Sequence, residues 1–216
     1  MAKKVIVMFL FSFYFNGMFA QSYDLKKIDD ELCKIGNEDQ QIRKKLIDAM
    51  QSQSTDLISI ITEMKSNDAK NQLYVSDILD NHGWPEKLSE NANRAIFLVI
   101  DHANNQFSEK YFPLVQKMAD AGVLFKSDVV TLEDRILMRS FKPQKYGTQT
   151  VSQKSQEGED IIYIWPIENN ENVDEMRASV GLPSMNSYMQ LLESQSKRKV
   201  IWDKSLKTTD FNITFQ

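Results

Sequence analysis

Over residues 23–141 the apolar side chains of this chain recur every three or four positions, and beyond residue 142 they fall into short strand-like runs. That change of period constrains the fold more than any other feature, because a 3.6-residue repeat builds helices and a two-residue repeat builds strands. The change falls on residues 142–149, Lys-Pro-Gln-Lys-Tyr-Gly-Thr-Gln. Here a proline fixes one backbone angle, a glycine permits geometry that other residues resist, and two amides, a phenol and a hydroxyl are packed between them.

The helical part divides at recognisable stops. Ile28, Leu32 and Ile35 open the first stripe, Gly36-Asn37 predicts a break, and Ile42, Leu46, Ala49, Leu57, Ile60, Ile61 and Met64 continue it. The Gln- and Ser-rich residues 50–56 predict a bend or a stop, and a third short helix is expected over 69–80, ended by Asn81, Gly83 and Pro85. Leu88, Ala92, Ala95, Ile96 and Val99 form the next stripe. With Phe97, Leu98 and Ile100 added, that helix is apolar on nearly every side and belongs at the centre of the core. Phe107, Tyr111, Leu114, Val115 and Met118 carry another helix, with Pro113 in its first turn or at a kink, and Ser127 is the expected N-cap of a helix holding Val129, Val130, Leu132, Ile136 and Leu137.

After the turn, residues 145–151 and 160–165 read as strands of a hairpin that reverses at Gly158. Asn172 and Glu175 have capping-box spacing, Gly181-Leu182-Pro183 closes that helix, and Ser184 caps a last one through Met185, Tyr188 and Leu192. Residues 199–202 and 211–215 are β-prone. The expected fold class is mainly α, a multi-helix domain with a small β-hairpin near the C-terminal third.

Lys3 and Lys4 precede an apolar run over residues 5–15, and a switch to polar sequence follows Ala20. This is the n-, h- and c-region order of a signal peptide over residues 1–20, too short an apolar run for a membrane span of about 20 residues. A secreted or periplasmic protein is expected, with no transmembrane segment once the signal is removed. Removal takes away two lysines and no acid, moving the formal charge from −4 to −6. A mildly acidic chain of this kind is not expected to bind nucleic acid, whose phosphates call for a concentrated basic patch. Cys33 is the only cysteine, so no disulfide can form within the chain, and its place near the first apolar stripe marks it as a small helix residue.

Chemistry-bearing residues gather in four segments. His82-Gly83-Trp84-Pro85 sets a titratable group beside an aromatic wall. His102 falls on the stripe of the most apolar helix, and Asp134, four residues after Val130, puts a carboxylate on an apolar face where it must be paired, either orienting His102 or receiving Arg177. Gln144, Tyr146, Gly147, Thr148 and Gln149 offer hydrogen-bonding groups without an unaided nucleophile, which favours recognition over covalent chemistry. Arg135 and Arg177 complete the candidate ligand-binding set. The two histidines and Asp134 lack metal-ligand spacing, no phosphate-cradling glycine loop occurs, and neither metal nor cofactor is expected.

At Gly83-Trp84-Pro85, His102-Ala103, Asp134-Arg135, Pro143-Gln144 with Tyr146-Gly147-Thr148-Gln149, and Arg177 with Gly181-Leu182-Pro183, the chain resembles a bacterial family known as the domain of unknown function numbered 6624. The resemblance runs over about residues 82–192. It differs from the usual pattern at Ser140-Phe141-Lys142, which replaces a glycine-containing run, and at Asp101, where the family commonly has glutamine. The resemblance implies that these segments form one recurring set, and it brings no activity with it. The resulting division is a signal peptide over 1–20, a helical extension over 21–81, a helical core domain with the hairpin over 82–195, and a tail over 196–216. The leading expectation is a pocket lined by His82, His102, Asp134, Tyr146, Thr148 and Gln149, with Trp84 and Arg135 as further ligand-binding candidates, that binds a small polar ligand or peptide. The alternatives are a hydrolase using His102 and Asp134, and a structural protein that meets a protein partner through an exposed apolar stripe over residues 42–64.

Overall fold

The computed structural model describes residues 24–155 and 158–213, so the expected signal peptide lies outside the described residues. Among them are seven α-helices and a three-stranded sheet in the C-terminal part, and the protein is mainly α. No described helix is long and apolar enough to cross a membrane.

α1 (Leu25–Gln51) starts at Asp24, whose side chain accepts from the Lys27 backbone N–H at 3.1 Å. It runs through Gly36-Asn37 without the expected break. A Cβ on Gly36 would lie 3.0 Å from the Cβ of Ala95, so the glycine lets α1 press closely on α3 (Glu90–His102), and burial of that face outweighs its helix penalty of about 1 kcal/mol. The 52–56 segment is the turn into α2 (Leu57–His82), which continues through the region where a separate helix over 69–80 was expected. Residues 65–68 contain no breaker, and Asp68 holds the helix to α1 through Arg43 at 3.0 Å.

α3 is the centre of the core, as its all-round apolarity predicts, with Ala92, Ala95, Ile96, Val99 and Ile100 sealed from solvent. Around it pack Leu32 and Ile35 from α1, Val75 and Ile78 from α2, Tyr111 and Val115 from α4 (Asn105–Asp120), and Val129 and Leu132 from α5 (Lys126–Arg139). The N-terminal helices thus pack into the same core. Only the far end of the α1–α2 pair stands apart, on a small cluster of Ile42, Ala49 and Ile60. Those three are buried between the helices, so the expected exposed stripe over 42–64 reduces to Ile47, Met50 and Ile58, at 54%, 60% and 79% exposure. Pro113 sits within α4, beyond its first turn, and α5 begins one residue before Ser127 with no side-chain cap; the Ser127 carbonyl instead accepts from the Thr131 hydroxyl at 2.8 Å.

The hairpin forms as expected, with its first strand shifted. β1 (Thr150–Lys154) runs antiparallel to β2 (Asp160–Ile164), pairing Thr150 with Ile164, while residues 145–149 are held in the preceding turn by side chains. β3 (Val200–Ile201) adds in parallel beside β2, drawn from the first β-prone piece of the tail. α6 (Val173–Ser179) and α7 (Met185–Ser196) cover the sheet, and Ile162, Ile164, Ile167, Val173, Met185 and Val200 form its own apolar cluster. Asn172 makes no capping hydrogen bond to α6, whereas Ser184 caps α7 as expected. From the second tail piece, Phe211 is buried with its ring 5.0 Å from that of Trp165; residues 214–216 lie outside the described residues.

Candidate functional site

The turn at 142–149 joins the helical core to the sheet, and two buried side chains of opposite charge grip its backbone. Asp134, fully buried on α5, accepts from the N–H groups of Lys145 (2.7 Å), Tyr146 (3.0 Å) and Thr148 (3.0 Å) and from the Thr148 hydroxyl (2.9 Å). Burial pushes its carboxyl up from the usual range, and the N–H groups of Thr148, Tyr146 and Lys145 oppose that shift. Arg177, buried on α6, donates to the carbonyls of Tyr146 (2.6 Å), Gly147 (3.3 Å) and Pro183 (2.6 Å), and burial lowers its pKa. The donors of the loop therefore point to an anion and its acceptors to a cation. This is the partnering that a buried irregular backbone needs.

Sequence reasoning paired Asp134 with His102 or Arg177; the structure pairs it with backbone instead, because the turn brings three N–H groups to one carboxylate. Gly147 is required twice over. Its φ is +70°, and a Cβ there would stand 2.7 Å from Met185 Sδ and 2.8 Å from Ile167 Cδ1. Gln144, fully buried, donates to the carbonyls of Gln149 and Trp165 and accepts from the Gln149 N–H at 2.8 Å. Gln149 in turn donates to the Thr131 carbonyl at 3.2 Å, and the Tyr188 hydroxyl donates to the Thr148 carbonyl at 2.7 Å. The polar groups of Gln144, Thr148, Gln149 and Arg177 are thus committed to the chain's own turn.

Tyr146 differs from its neighbours. Its backbone is held from both sides, yet its ring faces outward between two surface depressions of about 350 and 570 Å³. Ala119, Val129, Val130, Lys126 and Glu133 line the first, and Glu168, Asn169 and Met176 line the second. The phenol makes no hydrogen bond among the described residues, and burial raises its pKa, helped by the negative charge of Glu133. Lys145 flanks it, paired with Glu133 at 2.6 Å.

A second polar group lies at the corner between α3 and α4. His102 Nδ1 is 3.1 Å from Asp39 Oδ1, and its Nε2 is 3.8 Å from Asp101 Oδ2. Asp39, buried on α1, is also held by Arg43 at 2.7 Å. Burial opposes its charge, yet His102 and Arg43 keep its carboxyl below the ordinary value of 3.8. Arg135 binds the carboxylate and the carbonyl of Asp101, and Arg139 donates to the Ala103 carbonyl at 2.7 Å. Asp39, Asp101 and Arg139 were not among the candidates from sequence: Asp39 lay in the supposed extension, and Asp101 was marked only as a departure from the family pattern. For Asp39 the signal was the stripe itself, since it lies seven residues after Leu32 on the same helix face.

His82 and Trp84 stand elsewhere. His82 is exposed at the last residue of α2, and Trp84 is buried with its indole N–H on Asn93 Oδ1 at 2.7 Å, so it plugs the core. Among the described residues no group of three His, Cys, Asp or Glu side chains is placed to hold a metal ion.

These features define a class: a helical domain whose small sheet is bound to it by a loop gripped between a buried aspartate and a buried arginine. The chain belongs to the family of unknown function DUF6624, whose model matches residues 26–201. That match takes in α1 and α2 as well as the span over 82–192. No curated protein and no solved structure matches the chain.

Proposed function

We propose that this is an exported binding protein that takes a small polar ligand or a peptide in the paired depressions beside Tyr146. One observation carries the reading: a turn whose buried polar side chains are satisfied presents a single aromatic side chain, its hydroxyl unengaged among the described residues, between two recesses. A rigid aromatic with a free polar tip binds at low entropic cost, because its backbone is ordered before any ligand arrives. Export rests on the Lys3-Lys4 and residues 5–20 pattern.

The test is a ligand-observed NMR screen of free amino acids and short peptides against the wild type, Tyr146→Phe and Tyr146→Ala. The expected result is a set of binders weakened about threefold to tenfold by Tyr146→Phe and lost with Tyr146→Ala, in line with about 0.5–1.5 kcal/mol for one hydrogen bond plus the ring's burial. Identical profiles for all three proteins would end the proposal. Cell fractionation, with and without residues 1–20, tests the localisation.

The hydrolase reading keeps one supporting observation, the Asp39–His102 pair at 3.1 Å, which gives the imidazole an orienting carboxylate in place of Asp134. It ranks second because His102 Nε2 faces Asp101.

A further inference from the structure

The corner between α3 and the end of α5 has hydrogen-bonding groups left over on both sides. Arg139 is half-buried, its one hydrogen bond goes to the Ala103 carbonyl, and no carboxylate lies within ion-pair distance among the described residues. One helical turn away is a second guanidinium, Arg135, whose counter-ion is Asp101. Burial and the charge of Arg135 lower the Arg139 pKa, while Asp101 opposes them, so Arg139 lies within the field of both. Opposite these cations, two acceptors are sealed without a donor: Oδ1 of Asp101, a residue only 7% exposed, and Oδ1 of Asn105. The Asn105 amide N–H reaches Ser140, the residue after Arg139, at 2.9 Å, which places it in the same corner.

An unpaired guanidinium calls for an oxyanion, and an orphaned carboxylate oxygen calls for a donor. Water would satisfy the acceptors and leave the guanidinium without a counter-ion. Sulfate would satisfy Arg139, but with no proton to give it would set a bare oxygen against Asp101. A phosphate that retains a P–OH meets both demands: its charged oxygens accept from Arg139, and its hydroxyl donates to Asp101 Oδ1 or Asn105 Oδ1. We propose that this corner is a binding site for hydrogen phosphate, free or carried on a small molecule, with Arg139 as its anchor and Asp101 as the group that selects a protonated oxyanion. The two orphaned oxygens are closed to solvent, so binding requires side chains at this corner to move. The site shares no residue with the Tyr146 recesses, and the two readings stand or fall separately.

The test is titration of the full chain with inorganic phosphate and, in parallel, sodium sulfate at equal ionic strength, followed by calorimetry and by 15N chemical shifts of Ala103 and Asn105. Phosphate is expected to bind at least tenfold more tightly than sulfate, and Arg139→Gln to weaken phosphate at least tenfold. Asp101→Asn should abolish the discrimination, because an amide can donate to sulfate. Glycerol phosphate separates the sources: free phosphate keeps a P–OH at pH 8, whereas a monoester loses its last proton near pH 6, so a site that needs the hydroxyl holds the ester only at the lower pH. Equal affinity for phosphate and sulfate overturns the proposal, as does undiminished binding to Arg139→Gln or the absence of shifts at Ala103 and Asn105 at millimolar phosphate. If Asp101→Asn does not fold, since it also removes the partner of Arg135, the wild-type comparison and Arg139→Gln decide the matter.

Discussion

Replacing Asp134 by asparagine tests whether the conspicuous turn is held by this one side chain. The carboxylate receives three backbone N–H groups and a hydroxyl, with Oδ1 serving Lys145 and Tyr146 and Oδ2 serving Thr148 twice. An amide keeps one acceptor and turns the other into a donor. With the retained oxygen on Lys145 and Tyr146, the new NH₂ opposes the Thr148 N–H, and the Thr148 hydroxyl rotates to accept from it. One backbone donor is then buried without a partner, at about 1–3 kcal/mol, and two charge-assisted bonds weaken to neutral ones at about 0.5–1 kcal/mol each. The expected loss is about 2–5 kcal/mol, a large part of the roughly 5–15 kcal/mol of a typical domain. Urea unfolding at pH 7 gives the total, and amide exchange shows where it acts. The Thr148, Tyr146 and Lys145 amides should lose protection while those of α3 keep theirs, because the apolar core around α3 makes no use of the turn. A loss below about 1 kcal/mol, or protection falling equally in α3, would refute the reasoning.

Gly147→Ala should destabilise by about 2–4 kcal/mol in the same urea assay, combining about 1–2 kcal/mol for a left-handed alanine with the cost of driving a methyl group into Met185 and Ile167; Met185→Ala in the same chain should recover part of the packing share only. Asp39 has a folded pKa below its ordinary value, so its contribution is present above about 3.8 and is lost as pH falls through the depressed value. The stability gap between the wild type and Asp39→Asn should therefore be present above pH 3.8 and shrink as pH falls below it, and a gap that does not shrink below 3.8 would contradict the role given to ionised Asp39. Phe141 closes α5 at φ +55°, with Lys142 N–H bonding to the Leu137 carbonyl at 2.9 Å; Phe141→Gly relieves about 1 kcal/mol of strain and forfeits an edge contact with Trp165 at 6.5 Å, so thermal unfolding should shift by less than about 1 kcal/mol in either direction.

Much of this architecture is legible in the apolar spacing, and the misreadings share a cause. Local signals place breaks, and tertiary contact overrides them. Gly36 reads as a helix stop until Ala95 is known to press against it at 3.0 Å, and residues 65–68 read as a gap until Arg43 pairs with Asp68. The candidate site was legible as a list of residues but not as a grouping. Asp134 announces that a polar partner exists, since a carboxylate on an apolar stripe cannot go unpaired. It does not announce that the partners are backbone N–H groups, because backbone carries no sequence signature. Asp39 was missed for the converse reason: its seven-residue spacing from Leu32 was visible, but the helix bearing it had been set outside the core.

The turn itself shows why a polar, glycine-punctuated string is an ambiguous mark of function. A backbone that leaves a helix and enters a sheet through the protein interior must have each N–H and C=O answered, and doing so calls for the carboxylates, amides and guanidinium that binding sites also use. Gln144, Thr148, Gln149 and Arg177 are spent in that way, and a variant at any of them should first change how the sheet is held. Among the described residues Tyr146 and Arg139 are the exceptions, one a phenol without a partner and the other a half-buried cation without a counter-ion. Function in this fold is therefore to be sought at polar groups whose hydrogen bonds the structure leaves open. By that criterion the recesses beside Tyr146 and the corner beside Arg139 come before the residues that make the motif conspicuous.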